Sequence, residues 1–251
     1  MPATNASQRI LVIGATSAIA QAAAREWAAR GETLFLAGRD TQALQAIATD
    51  LLIRGAAGAA TAPFDALDID ALPRLIDVAV RELGGLDLAL VAHGVLPDRD
   101  TSEVSVASLR DNFSTNALSV IVLSELLGQR FAAQGHGVLA AISSVAGERG
   151  RRSNYEYGAA KSAVTTFLSG LRQALYARGV RVITIKPGFV STPMTAGFRK
   201  GPLWASPARV ARDIVHAMDR GTPVVYTPWF WRPIMALVRF VPERLFLRLR
   251  T

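Results

Sequence analysis

"RILVIGATSAIAQAAAREWAARG", Arg9 to Gly31, is the stretch from which the rest of the chain can be read. Ile10 to Ile13 form a short continuous apolar run, the pattern of a strand buried on both faces. Gly14 follows, where a sharp turn needs a residue without Cβ, and then a helix is expected over 18–30. Strand, glycine turn and helix outline a dinucleotide-binding turn. Such loops commonly carry three glycines, but here Ala18 and Ala20 fill the second and third places. Each alanine adds one methyl, the smallest possible intrusion. Thr16 and Ser17 supply hydroxyl donors, and the first free N–H groups of the helix, around Ile19, can face an anion. Taken alone, the stretch fits a working phosphate loop or a purely structural turn.

Outward from this unit the pattern repeats. Buried parallel strands are expected at 9–14, 33–38, 86–94, 137–144 and 180–188, with a weaker one at 59–65 and a last one at 223–228. Helices are expected at 18–30, 40–54, 68–83, 103–133, 155–178 and 206–220. Asp40 and Ser206-Pro207 are start signals for two of them. The alternation predicts βαβ units and therefore an α/β, doubly wound parallel sheet of about seven strands. It reads as a single domain, 1–227, followed by a C-terminal amphipathic tail, 228–251. In such sheets ligands bind at the carboxyl ends of the strands. Each notable polar motif falls at such an end or just after it.

Composition narrows the chemistry. The chain has 251 residues, half of them apolar, enough for one large core. It has no cysteine, which removes disulfides, thiolate nucleophiles and cysteine-ligated metals. His93, His136 and His216 lie far apart with no ligand spacing between them, so no metal site is expected. The start, "MPATNASQR", lacks the apolar core of a signal peptide, and no run of about 18 apolar residues predicts a spanning helix. A cytoplasmic protein is expected. The net charge of +8 is carried almost wholly by arginine. A biased genome composition and a functional basic surface both account for it. No recognition motif supports nucleic-acid binding.

Two further segments sharpen the reading. "LAGRD", 36–40, ends the second strand with Arg39, where selection of NAD would call for a carboxylate on the ribose 2′-hydroxyl. An arginine can grip a 2′-phosphate instead, so NADP(H) is preferred over NAD(H). The other reading is a helix-entry arginine paired with Asp40. In "AISSVAGERGRRSNYEYGAAKSA", 141–163, Tyr157 and Lys161 are four residues apart on an expected helix and share a face. A free tyrosine, with a pKa near ~10, is a poor catalyst at neutral pH, and a nearby ammonium should lower that value. Ser144, at a strand end, could donate to a carbonyl oxygen that Tyr157 protonates.

With these residues in view, the chain resembles the short-chain dehydrogenase/reductase superfamily along nearly its whole length. The resemblance implies a Rossmann fold and hydride transfer between a nicotinamide and a carbonyl carbon. It assigns catalysis to Asn116, Ser144, Tyr157 and Lys161. Asn116, in "NFSTNALS", would hold a water in the proton relay. It assigns the cofactor to Gly14, Thr16, Ser17, Ile19, Asp65, Ala66 and Gly94. Tyr157, Lys161 and the segment "KPGFVSTPM", through Pro187, Gly188, Val190 and Thr192, would complete that site. Two departures stand out: the loop alanines, and "VAHG", Val91 to Gly94, where the family has Asn-Asn-Ala-Gly. His93 is read there as a packing residue or as a neighbour of the substrate.

Within the superfamily the chain is most similar to decaprenylphosphoryl-2-keto-ribose reductases, on "FDALD" (64–68), "AGERGRRSNYEYG" (146–158) and "FWRPIMALVRFVPERLFLRL" (230–249). That resemblance implies a lipid-linked keto-sugar substrate, a flavin-dependent oxidase as partner, and a site at the inner face of the membrane. The tail mixes tryptophans, aliphatics and arginines as an interfacial anchor does. It could equally close over the substrate cleft or pack a dimer, and family habit implies a homo-oligomer. Arg149, Arg151 and Arg152 are candidates for holding a phosphorylated substrate. A reductase of 3-oxoacyl thioesters or another soluble ketone, and a non-catalytic nucleotide-binding scaffold, remain alternatives.

Overall fold

A computed structural model describes residues 7–96 and 105–248. Residues 1–6, the first two residues of the helix expected from 103, and Leu249, Arg250 and Thr251 of the tail lie outside them. The strands are β1 (Arg9–Ile13), β2 (Thr33–Gly38), β3 (Gly58–Pro63), β4 (Leu88–Val91), β5 (Gly137–Ile142), β6 (Val180–Pro187) and β7 (Val224–Thr227). They form one seven-stranded sheet in the order β3-β2-β1-β4-β5-β6-β7, and every pairing is parallel. The chain winds outward from β1 in one direction, then returns to start again at β4. That reversal opens a crevice at the carboxyl ends of β1 and β4.

The apolar runs of the central strands are continuous because helices cover both faces. Along β1, Ile10 and Val12 join one core with Trp27 of α1 (Ala18–Ala28), Leu44 of α2 (Thr41–Ile53) and Ile214 of α7 (Pro207–Arg220). Leu11 and Ile13 point the other way. They join Leu75 of α3 (Leu72–Leu83), Leu123 of α5 (Ser119–Gln134) and Val164 of α6 (Tyr155–Leu175). Asp40 caps α2, its carboxylate accepting from the Ala43 N–H at 2.9 Å. Ser206 caps α7 by accepting from Arg209 N–H.

Three expectations need correction. The helix expected over 103–133 is two, α4 (Val106–Phe113) and α5, joined by a π-helical turn at Ser114–Leu118. A residue-level pattern of apolar positions does not reveal one extra residue in a turn. The strand expected over 86–94 pairs only at Leu88–Val91, since the chain then leaves the sheet to pass over Gly14. The helix expected to reach 178 ends at Leu175, and a 3₁₀ turn, Tyr176–Arg178, leads to Gly179.

The tail is helical. After β7 come α8 (Trp231–Phe240) and α9 (Glu243–Phe246). Trp231 and Met235 bury themselves with Val145 in a small third core.

Candidate active site

Gly14 has φ +78, and a Cβ there would sit 2.6 Å from the backbone nitrogen of His93. Only glycine fits this crossing of the β1 and β4 ends. Its N–H and that of Ala15 both donate to the Ala37 carbonyl, at 2.8 and 3.0 Å, so the turn is tied to β2. Ala20 is buried in the core beside β1, which absorbs its methyl. Ser17 precedes α1 without a side-chain cap bond, leaving the first N–H groups of that helix to a ligand. Thr16 is exposed, Ser17 half-buried and Ile19 buried at this mouth. These features fit a dinucleotide diphosphate.

Arg39 is exposed just beyond β2. The Asp40 carboxylate is turned into its cap, and no ion pair joins the two among the described residues. Asp65 and Ala66 follow β3; Asp65 is exposed and accepts from Leu67 N–H through one oxygen, at 2.9 Å. Beyond β6, Val190 is buried and bridges Ala205, and Thr192 opens a 3₁₀ turn, Pro193–Thr195. Pro187 ends β6, and Gly188 is held by its N–H to the Thr227 carbonyl at 3.1 Å.

Ser144, Tyr157, Lys161 and Asn116 meet between these two flanks. Ser144 follows β5 in extended backbone and accepts from Ala146 N–H at 3.0 Å. Its hydroxyl lies close enough to the Tyr157 phenol to favour the ionised phenolate. Lys161 lies one turn further along α6 and donates to the Ile142 carbonyl at 3.0 Å. Asn116 sits in the π-helical turn, completely buried. Its Oδ1 accepts from Val95 N–H at 2.9 Å, and its Nδ2 donates to the Val95 carbonyl at 2.8 Å and to Asn112 Oδ1. Gly94 closes the group: a Cβ there would lie 2.8 Å from Asn116 Oδ1 and 3.4 Å from Lys161 Nζ. π-helical turns widen a helix by one residue and often display a functional side chain.

The electrostatics differ from the expectation in one respect. Burial pushes the Tyr157 phenol up to about 12, with the Ser144 hydrogen bond acting the other way. Burial also draws the Lys161 ammonium down to about 8. The ammonium lies 5.7 Å from the centre of the Tyr157 ring and is bonded to a carbonyl, so it does not lower the phenol against that desolvation. His93 packs edge-on against Phe64 at 5.0 Å, and its Nε2 pairs with Ser119 Oγ at 2.8 Å. Burial, then the Lys161 charge, holds its pKa at about 3. It is a neutral packing residue beside the nucleotide loop.

The arginine cluster divides. Arg149 does not face a ligand. Its guanidinium donates to the Val238 and Val241 carbonyls at the end of α8, pairs with Glu243 at 2.8 Å, and stacks 3.8 Å over Phe246. A planar cation fits the free carbonyls at a helix C-terminus, so this arginine holds the tail.

Glu148, Asn112 and Trp231 were missed as supports. The nearly buried Glu148 carboxylate takes Lys186 at 2.5 Å, the Tyr226 hydroxyl at 2.6 Å and Arg239 at 3.3 Å. Burial raises its pKa, but the bonds from Lys186 and Tyr226 and the nearby cations hold it below the ordinary glutamate range. An acid set among arginines in "AGERGRR" was the available signal. Trp231 fills the space that a Cβ on Gly188 would need and stands edge-on to Phe189 at 5.3 Å. Helix α8 is thereby wedged between the segment after Ser144 and the segment after β6.

Residues 8–202 match the family model described as short chain dehydrogenase. An oxidoreductase of Mycobacterium tuberculosis is 37% identical over 234 residues, 93% of this chain and 94% of that one. A second, from Streptomyces coelicolor, is 37% identical over 250 residues, 98% of each. A solved short chain dehydrogenase/reductase family protein superposes with a TM-score of 0.76 at 25% identity, over 88% of this chain and 95% of that one.

Proposed function

The chain belongs to the short-chain dehydrogenase family and is an oxidoreductase; from that premise we propose that it uses NADPH to reduce a ketone to a secondary alcohol, the ketone being the 2-keto group of a pentose carried on a polyprenyl phosphate. The observation that carries the catalytic reading is the convergence of Ser144, Tyr157, Lys161 and Asn116 in the crevice at the strand ends. Bound there, the cofactor supplies the hydride that the carbonyl carbon takes. Tyr157, kept protonated by burial, donates its proton to the carbonyl oxygen. Ser144 holds that oxygen in line. Lys161 and Asn116, both close against Gly94, restore the proton to Tyr157. Gly14 and the uncapped start of α1 suit the diphosphate, and Arg39, which has no ion pair among the described residues, suits a 2′-phosphate.

The substrate reading rests on chemistry around this centre. The outer face of the tail leaves Trp229, Leu237 and Phe240 at 69, 71 and 82% exposure, with Arg232, Arg244 and Arg248 exposed beside them. Apolar groups flanked by cations suit the surface of an anionic bilayer, where a lipid-linked sugar resides. A cytoplasmic enzyme at the inner membrane face follows, as a homo-oligomer working with a flavin-dependent oxidase that makes the ketone. The test is NADPH oxidation in detergent, comparing a prenyl-phosphoryl 2-keto-pentose with an acetoacetyl thioester. Turnover of the lipid-linked sugar alone, lost in Tyr157→Phe, is the expected result. Turnover of the thioester alone would keep the reductase and overturn the substrate.

A further inference from the structure

Between Ser144 and Tyr157 lies Arg151, a cation with no ion-pair partner among the described residues. Arg149 is committed to the tail, and Arg152 is exposed. Arg151 is half-buried. Its Nε is sealed from water and has no hydrogen-bond partner, and no carboxylate pairs with it among the described residues. A guanidinium N–H taken out of water without an acceptor is destabilising. Such a group is rarely left that way unless something else supplies the anion. Burial lowers its pKa, as expected for a charge lacking compensation.

Arg151 stands on the stretch that joins Ser144 to the helix carrying Tyr157. Its carbonyl accepts from Asn154 N–H at 3.0 Å, a turn that delivers the chain into α6. Asn154 also carries a buried acceptor, Oδ1, without a partner. Tyr157 comes three residues later, in the first turn of that helix. Seven residues before Arg151, the Ser144 hydroxyl neighbours the Tyr157 phenol. The unpaired donor and the unpaired acceptor thus stand on the one segment that carries both proton-handling hydroxyls.

We propose that Arg151, with Asn154 beside it, is the specificity subsite for an anionic group on the ketone substrate, a phosphate or a carboxylate, with Asn154 accepting from a neighbouring hydroxyl. Deepening the reading given under "Proposed function", this assignment names which arginine meets the substrate's anion. It is compatible with a phosphodiester of a lipid-linked sugar or with the phosphate of a soluble thioester carrier.

The experiment measures binding to the NADPH-loaded protein, so that the cofactor's own phosphate sites are filled. Isopentenyl monophosphate is compared with isopentenol, molecules differing only in the anion. Wild type should bind the phosphate at least about tenfold more tightly, the scale of one charge-assisted contact. Arg151→Gln should lose that preference while keeping its melting temperature and NADPH affinity, and Arg151→Lys should retain part of it. An equal preference in Arg151→Gln, or none in wild type, overturns the assignment. Wild type and Arg151→Gln are then assayed with both ketones named above. Anion preference through Arg151 without reduction of the prenyl-phosphoryl ketone keeps the subsite and removes the sugar substrate. Reduction of that ketone with unchanged KM in Arg151→Gln does the reverse.

Discussion

Tyr157, Lys161 and Arg39 are where single side chains make the proposed reaction measurable. The phenol at about 12 is an acid at every working pH, so Tyr157→Phe should lower kcat by ~10²–10⁴, with NADPH affinity and melting temperature little changed. Lys161 is needed with its proton, and its folded value of about 8 lies below the ordinary lysine value of 10.5. The protonated fraction therefore falls as pH rises through about 8, and kcat/KM for reduction should be level near neutrality and decline above that point. A profile flat to pH ~10 would contradict a relay through Lys161. Replacing Arg39 with alanine removes one cation from the proposed 2′-phosphate contact. The ratio of NADPH to NADH efficiency should then fall about 10–100-fold, the worth of a charge-assisted hydrogen bond or two. Equal loss with both cofactors would assign Arg39 to the adenine ribose in general.

Two elements act as instruments of position. In the π-helical turn at Ser114–Leu118, Asn116 is gripped at both ends by Val95, a geometry that an unbroken α-helix from 103 would not produce. The family resemblance pointed to the residue through "NFSTNALS"; the widened turn was not legible, because it depends on how α4 and α5 pack across α6. Helix α8 is the other element. Arg149→Ala should free its C-terminal carbonyls, remove the Glu243 pair and unstack Phe246. A loss of about 1–3 kcal/mol is expected for a charged hydrogen-bonding group, together with faster tryptic cleavage in the tail. An unchanged cleavage rate would mean that Trp231 and Met235 alone hold the helix.

The molecule as a whole is an asymmetric object, with the crevice at the carboxyl ends of the strands and the tail helices against its β5–β7 side. If the exposed apolar and basic face of that tail meets a bilayer, the protein should sediment with phosphatidylglycerol vesicles. The bound fraction should drop with salt, which screens its arginines, and in Leu237→Asp/Phe240→Asp. Binding indifferent to lipid charge would exclude an electrostatic component. At this scale the sequence by itself determined the doubly wound sheet, because continuous apolar strands alternating with amphipathic helices bury their faces in few other ways. It also determined the spacing of Tyr157 and Lys161, which helical periodicity places on one side. Only the tertiary structure decided that Arg149 holds the tail while Arg151 has no counter-ion among the described residues. It alone decided that Glu148 binds β6, β7 and α8 together, and that burial outweighs charge at Tyr157 and Lys161. Those outcomes turn on distances between segments far apart in the chain and on how much water reaches them, and neither quantity is written in local pattern.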